Sequence, residues 1–243
     1  GGAGADVFTA DNTATASATS TADSLTGGAG ADTLNIFSDG SVDPMPVVSS
    51  IETINLYDVD DAIFTTATAA GVETLNVIRG DGNAQGVIVA AGTTVNLSTI
   101  TLAEVATSVS VTHAAATTSA TIGVDGVVGN ADTTFTEDVT LVGAGLTTVV
   151  VNATGTASDI EMFSVAGATD VTINASAKLT SNQNNGATFG VNTTGTLGTL
   201  TVTGTGAVDI GTIDPGFTTV NAGANSGGFS AAIGTNDDTV LTG

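Results

Sequence analysis

Two glycine–aspartate segments stand immediately before strand-like runs: residues 1–6 read GGAGAD, and residues 27–32 repeat the same six letters. Glycine at the first, second and fourth positions lets the backbone turn through positive φ with no side chain in the way. Such a turn directs backbone carbonyls inward, where they need a partner. The aspartate adds a carboxylate, and carbonyl and carboxylate oxygens from neighbouring turns are the ligands that Ca²⁺ prefers. The segments therefore predict a calcium-binding corner, with ordinary tight turns capped by aspartate as the alternative.

The charge of the chain favours a role for cations. Its 243 residues carry 24 acidic side chains against Arg79 and Lys178, a formal net charge of −22. Self-repulsion of this size destabilises a compact state unless cations offset it. Nucleic acid is excluded as a partner, because too few basic side chains exist to neutralise phosphates. A merely solubilising acidic surface remains the alternative interpretation.

The absence or scarcity of certain residue types excludes several kinds of functional site. It has no cysteine, which excludes disulfides, thiolate zinc sites and cysteine nucleophiles. Its one histidine, His113, lies in the run SVSVTHAAA with no obvious catalytic partner, and we expect it to be a solvent-facing strand residue. We therefore expect no enzymatic activity; a polysaccharide-active β-helix enzyme that uses two aspartates is the remaining enzymatic alternative.

The middle of the chain repeats short phrases that alternate polar and apolar residues. IETINL (51–56) and VETLNV (72–77) are nearly identical and stand 21 residues apart. Alternation of this kind, bounded by Gly, Asn and Asp, is the pattern of β-strands. Similar strand cores recur, with their first apolar residues at positions 54, 75, 95, 109, 139, 149, 171, 200 and 220.

The spacing of these phrases predicts a parallel β-solenoid of about a dozen coils at roughly 20 residues per coil. Near-identical strands would then lie directly above one another, with Ile54 over Leu75 inside and Asn55 and Asn76 in one row. An antiparallel β-sandwich is the alternative fold, because its strands also recur at short intervals.

The glycine–aspartate segments resemble the RTX nonapeptide, G-G-x-G-x-D-x-U-x with U a large apolar residue, found in bacterial proteins exported by type I secretion. Residues 1–9 and 27–35 fit it completely, and 18–26 and 233–241 fit it in part. The resemblance implies Ca²⁺ as the bound cofactor, held by turn residues and by an aspartate in each copy. The implied metal-site residues are Gly1, Gly2, Ala3, Gly4, Asp6, Asp23, Gly27, Gly28, Ala29, Gly30, Asp32 and Asp238.

The copy at 18–26 directly precedes the copy at 27–35, and Asp6 and Asp23 are 17 residues apart, close to two repeats. We therefore expect Asp6 and Asp23 on the same side of successive coils. The sequence divides into RTX-like coils at 1–37, a solenoid body at 38–232 and a degenerate RTX-like coil at 233–243.

The body of the chain resembles the crystalline region of RTX-type surface-layer (S-layer) proteins and the repeat regions of large adhesins and biofilm-matrix proteins. The resemblance implies a calcium-dependent structural subunit outside a Gram-negative bacterium, in a surface layer, matrix fibre or adhesin stalk. The two ends of the sequence each carry part of one glycine–aspartate unit, so we expect copies of the chain to join head to tail between Asp238 and Asp6 in a polymer or lattice, or an equivalent continuation in a longer parent chain. A surface or matrix polysaccharide is the second expected partner. We expect no membrane insertion. The alternative function is a ligand-binding module of an adhesin, with a face for polysaccharide or for ice.

Overall fold

The computed structural model describes residues 1–11, 23–38, 46–58, 63–65, 69–80, 85–102, 108–129, 139–160, 163–166, 168–181, 188–189, 198–213, 216–232 and 239–242. All regular structure in these ranges is β-strand, and none of them holds a helix able to cross a membrane. The strands are β1 (Val7–Asp11), β2 (Ser24–Thr26), β3 (Thr33–Phe37), β4 (Val47–Ser49), β5 (Thr53–Tyr57), β6 (Ile63–Thr65), β7 (Thr74–Ile78), β8 (Gln85–Val89), β9 (Thr94–Ser98), β10 (Val109–His113), β11 (Ser119–Asp125), β12 (Val139–Val142), β13 (Thr148–Ala153), β14 (Ser158–Asp159), β15 (Phe163–Ala166), β16 (Asp170–Ala175), β17 (Leu179–Thr180), β18 (Thr188–Phe189), β19 (Thr199–Gly204), β20 (Val208–Ile213), β21 (Thr219–Asn225), β22 (Phe229–Ala232) and β23 (Thr239–Thr242).

One long parallel sheet organises the molecule. Its eleven strands follow the order β1-β3-β5-β7-β9-β11-β13-β16-β19-β21-β23. Every neighbouring pair in this sheet is parallel, and paired residues are 20 to 29 positions apart in the chain. Each step along the sheet is therefore one coil of a parallel β-solenoid. At about 4.8 Å between strands, the sheet extends for about 48 Å along the solenoid axis.

The remaining strands lie between consecutive strands of the long sheet and form its return sides. β15-β12-β10-β8-β6 make one five-stranded sheet, β14, β17, β18, β20 and β22 make another, and β2 pairs with β4. All of these pairs are also parallel. The whole described fold is thus a stack of coils with no antiparallel pair, which rules out the β-sandwich.

The core lies between the long sheet and the return sides. Strands such as Thr53–Tyr57 and Thr74–Ile78 alternate half-buried and buried residues, since successive side chains point to opposite faces. Ile54 pairs with Leu75, and both are fully buried; Asn55 pairs with Asn76 on the outer face. The predicted in-register stacking is confirmed.

The strand cores that begin at 109 and 139 do not lie in the same sheet as the other seven. Val109 and Val139 pair with each other in a return sheet, whereas the other seven cores lie in the long sheet. A return strand has the same alternation, because it too has one face toward the core. The long sheet instead uses β11, whose run SATIGVD was not recognised because Gly123 interrupts the alternation.

Candidate metal centre at the glycine–aspartate corner

The residue immediately before each strand of the long sheet lies at one corner of the coils, and these residues are called the corner column here. In the described part of the chain, the corner column is Asp6, Asp32, Glu52, Glu73, Thr93, Thr118, Thr147, Thr169, Gly198 and Thr218. Carboxylates thus occupy the first four positions, and threonine occupies most of the others. Parallel pairing of the strands that follow brings these residues one above another.

The first three carboxylates accept hydrogen bonds from backbone N–H groups at the corner. Asp6 Oδ2 accepts from the N–H of Gly2 at 2.7 Å, within its own turn. Asp32 Oδ1 accepts from the N–H of Asp6 at 2.8 Å, and Glu52 Oε2 accepts from the N–H of Asp32 at 2.7 Å. Bonds from a neutral donor to a charged acceptor are among the stronger ones. The carboxylates of Asp32 and Glu52 therefore tie successive coils together.

Asp32 is the exceptional member of the corner column. It is fully buried, at 0% exposure, and its Oδ2 atom has no hydrogen-bond partner among the described residues. Burying a charge without a partner is costly, and buried carboxylates are normally paired or coordinate a metal. A cation beside Oδ2 would remove this cost.

Glycine lets the backbone approach that oxygen closely. A Cβ atom on Gly27 would overlap the carbonyl oxygen of Ser50 and Asp32 Oδ2 together. One coil earlier, a Cβ on Gly1 would overlap the carbonyl oxygen of Gly27 and Asp6 Oδ2. Each glycine–aspartate turn thus places one carboxylate oxygen and one backbone carbonyl of the next coil around the α-carbon of its first glycine.

The later glycines of the second turn let the two turns stack closely. Gly28 and Gly30 have φ values of 114° and 137°, a region that residues with side chains rarely adopt. A Cβ on Gly28 would overlap the carbonyl of Gly2, and the N–H of Ala29 donates to that carbonyl at 3.0 Å. Ala3 and Ala29 form a parallel bridge.

These contacts fit a hard cation that takes ligands from both backbone and side chains. Ca²⁺ binds six to eight oxygens and accepts carbonyls and water beside carboxylates. No group of three or more His, Asp or Glu side chains in the described ranges is arranged to hold a metal. Backbone carbonyls and water would therefore have to supply most of the ligands.

The predicted site residues separate into three groups. The glycines and alanines of both complete turns, with Asp6 and Asp32, come together at one corner. Asp23 lies elsewhere: it is exposed, and its carbonyl accepts from the N–H of Val47 beside the strand pair β2–β4. The structure therefore aligns Asp6 with Asp32, and the expected pairing of Asp6 with Asp23 was wrong. Asp238 lies outside the described residues.

Two acidic members of the corner column were missed from the sequence, although a signal was present. Glu52 and Glu73 directly precede TINL and TLNV, as Asp32 precedes TLNI. The shared pattern is an acidic residue followed by Thr, an apolar residue, Asn and another apolar residue. The glycine pattern identifies only the two complete turns. The pattern of the strand that follows identifies the residue equivalent to Asp32 in the next two coils.

Threonines complete the corner in the later coils by donating instead of accepting. The Oγ1 of Thr93 donates to the carbonyl of Val72 at 3.0 Å, and that of Thr169 donates to the carbonyl of Thr147 at 3.0 Å. These bonds also join neighbouring coils. They add no charge and leave no carboxylate oxygen to be satisfied.

His113, expected at the solvent-facing surface, is buried at the end of β10, at 4% exposure. Neither ring nitrogen has a hydrogen-bond partner among the described residues. Burial lowers the pKa of His113 below its ordinary value, because the charged form is poorly solvated there. The histidine faces inward because His113 continues the buried positions of Val109 and Val111 at intervals of two.

No family model, curated protein or solved structure matches this chain.

Proposed function

We propose that this chain is a calcium-dependent structural segment of a bacterial extracellular assembly, such as a surface layer, a matrix fibre or an adhesin stalk. The observation that carries the proposal is the buried Oδ2 of Asp32, which has no hydrogen-bond partner among the described residues and lies, like the Ser50 carbonyl, close to the α-carbon of Gly27. Calcium at this corner would join the first coils of the long sheet.

The negative charge of the chain supports the binding of a cation outside the cell. With a net charge of −22, the folded chain gains stability from any bound cation. A site with few carboxylates and several carbonyls has modest affinity, and extracellular calcium modules work at about 10⁻⁴–10⁻³ M. Such a site would be filled outside the cell, and the coils would become rigid there.

The fold itself supports a structural role. The buried rows repeat coil by coil, and polar rows on the outer face do the same. Stacked repeats of this kind make elongated, regular bodies. The strands β1 and β23 each have one neighbour in the long sheet. A further coil, from the same polypeptide or from another copy, could pair with either strand, as the head-to-tail proposal requires.

Replacing Asp32 with Asn tests the calcium proposal. Asp32→Asn keeps an oxygen that can accept from the Asp6 N–H but removes the charge and the free carboxylate oxygen. Without calcium, we expect this variant to be at least as stable as the wild type, because a buried unpaired charge is gone. At about ten times the dissociation constant, calcium should stabilise only the wild type, by about 1.4 kcal/mol. Adding calcium should therefore shift the difference in stability between the two proteins by about 1.4 kcal/mol in favour of the wild type.

Thr147→Val provides the matched control, because it removes a corner hydroxyl that donates to the Thr118 carbonyl and leaves the acidic corner unchanged. Its stability should depend on calcium as that of the wild type does. Hydrogen exchange of residues 1–11 and 23–38, measured in EGTA, Ca²⁺ and Mg²⁺, gives a local readout. Equal protection of wild-type β1 and β3 in EGTA and in Ca²⁺ would contradict the proposal.

A further inference from the structure

A ladder of asparagine side chains runs along the outer face of the long sheet. The Nδ2 of Asn55 donates to Asn35 Oδ1 at 2.7 Å, and that of Asn76 donates to Asn55 Oδ1 at 2.6 Å. The Nδ2 of Asn96 continues the ladder to Asn76 Oδ1 at 2.8 Å. Every amide in this segment donates to the coil before it, so the ladder has a direction.

The ladder stops at Gly123 and begins again one coil later. Gly123 pairs with Asn96 on one side and with Asn152 on the other, so it occupies an asparagine position without a side chain. Beyond it, Asn174 Nδ2 donates to Asn152 Oδ1 at 3.0 Å, and Thr203 Oγ1 donates to Asn174 Oδ1 at 2.8 Å. The interruption is therefore one coil wide.

The two ends of the interrupted ladder carry complementary free groups. Because each amide donates toward the first coils, the acceptor Asn96 Oδ1 and the donor Asn152 Nδ2 are left over, and neither has a hydrogen bond within the described part of the chain. Their strands are two sheet spacings apart, about 10 Å. A donor and an acceptor therefore flank the gap.

The gap opens into a groove on the outer face. One part, of about 440 Å³, is lined by Asn96, Gly123, Asn152, Thr154, Asn174 and Ser176, among others. A second part, of about 370 Å³, shares Asn96, Gly123 and Thr154 and extends toward Ser98 and Asp125. Amides and hydroxyls provide most of its polar groups, and Asp125 is the one charged side chain among the described residues that line it.

We propose that this groove binds a neutral glycan, with one sugar ring lying across Asn152 and the amide end of Asn96, which covers Gly123. A sugar carries hydroxyls on opposite sides of the ring, and each hydroxyl can both donate and accept. One hydroxyl would donate to Asn96 Oδ1, and another would accept from Asn152 Nδ2. Thr154 and Ser176 supply further hydroxyls along the groove.

The surroundings disfavour other ligands. An anionic polymer would meet Asp125 and a chain of net charge −22 with no cation in the groove lining. A peptide that binds by strand addition needs a free sheet edge. β11 offers none at this groove, because it pairs with β9 on one side and β13 on the other.

Filling the gap tests the proposal. Gly123→Asn supplies the missing amide, which can accept from Asn152 and donate to Asn96. The added Cβ would meet the end of the Asn96 side chain, which can rotate, and not the backbone. We expect a melting temperature no lower than that of the wild type and at least a tenfold loss of affinity. Thr53→Asn, on the same face and three strands from β11, is the control and should bind as the wild type does.

Asn152→Asp is a second variant. It replaces the free donor with an acceptor but still accepts the bond from Asn174, and we expect it to bind at least tenfold more weakly as well. Titration calorimetry in Ca²⁺ with cellohexaose, maltohexaose and mannohexaose as neutral probes measures affinity, with hexagalacturonate as the acidic comparison.

Binding of a neutral probe that Gly123→Asn and Asn152→Asp weaken, and that Thr53→Asn does not, would support the proposal. The proposal is overturned if the wild type binds none of the neutral probes, if it prefers the acidic probe, or if Gly123→Asn binds as tightly as the wild type. Neither result depends on whether Asp32 holds calcium.

Discussion

The corner of the first coils and the corner of the later coils solve the same structural problem with opposite chemistry. In both, a side chain in the corner column bonds to the backbone of a neighbouring coil. Asp32 and Glu52 accept from backbone N–H groups, whereas Thr93 and Thr169 donate to backbone carbonyls. The corner-column threonines are uncharged, and the exposed Asp170 carboxylate beside Thr169 accepts from the Thr169 hydroxyl and from the N–H of Thr199.

The difference indicates which coils of the solenoid should change in stability with the cations in solution. We expect the stability of the threonine corner to depend little on the cations in solution, because the corner-column threonines carry no charge. The carboxylate corner brings negative charges close together and buries one oxygen of Asp32 that has no partner among the described residues. Because each coil of a repeat protein contacts mainly its neighbours, we expect a response to cations that is confined to the first coils.

Gly27→Ala should have the largest effect on the carboxylate corner. The added Cβ would overlap the Ser50 carbonyl and the Asp32 carboxylate, and the carbonyl belongs to backbone that cannot move aside. We expect a loss of about 3 kcal/mol in the free energy of unfolding, measured by chemical denaturation in Ca²⁺. Gly2→Ala is the control, since nothing lies within 4 Å of its Cβ. Equal losses in the two variants would mean that the corner is not packed as described.

Glu52→Ala should have the next largest effect, because it leaves the N–H of Asp32 without its acceptor. An unsatisfied donor of this kind costs about 1–3 kcal/mol. Glu73→Ala is the matched control: it lies in a nearly identical phrase, but Glu73 is exposed. Hydrogen exchange at the Asp32 amide should accelerate in the first variant only. A faster rate in both would remove the special role of Glu52.

Acid should weaken the later coils through His113. Burial lowers its pKa in the folded state, so the unfolded chain takes up the proton first as the pH falls. The stability that the neutral histidine contributes is complete above about pH 6.5 and is lost below it. Between pH 7.5 and 5.5 the wild-type melting temperature should therefore fall more than that of His113→Leu. Parallel pH profiles for the two proteins would contradict this assignment.

Thr218→Val should have the smallest effect. It removes an exposed bond of 3.1 Å to the Gly198 carbonyl and should cost about 1 kcal/mol or less. The cost should be the same in EGTA and in Ca²⁺, as measured by denaturation in each buffer. A cost that depended on calcium would show that the two corners are coupled.

Much of this architecture could be predicted from the sequence. The alternation of polar and apolar residues identifies strands because side chains point alternately to opposite faces. Near-identical phrases predict stacked coils, because an in-register parallel pair places like residues together. IETINL and VETLNV carried that prediction, and the pairing of Ile54 with Leu75 confirmed it. The glycines of GGAGAD likewise identified the corner where the turns stack.

The tertiary structure alone decided which strands share a sheet and which residues share a corner. Long-sheet and return strands have the same alternation, since both have one side toward the core, so the strand at Val109 could not be assigned by pattern. Asp6 stacks on Asp32 and not on Asp23, because an entire coil, including its return side, separates equivalent positions. The break in the asparagine ladder at Gly123 could not be identified from the sequence, because only the strand register shows that Gly123 lies between Asn96 and Asn152.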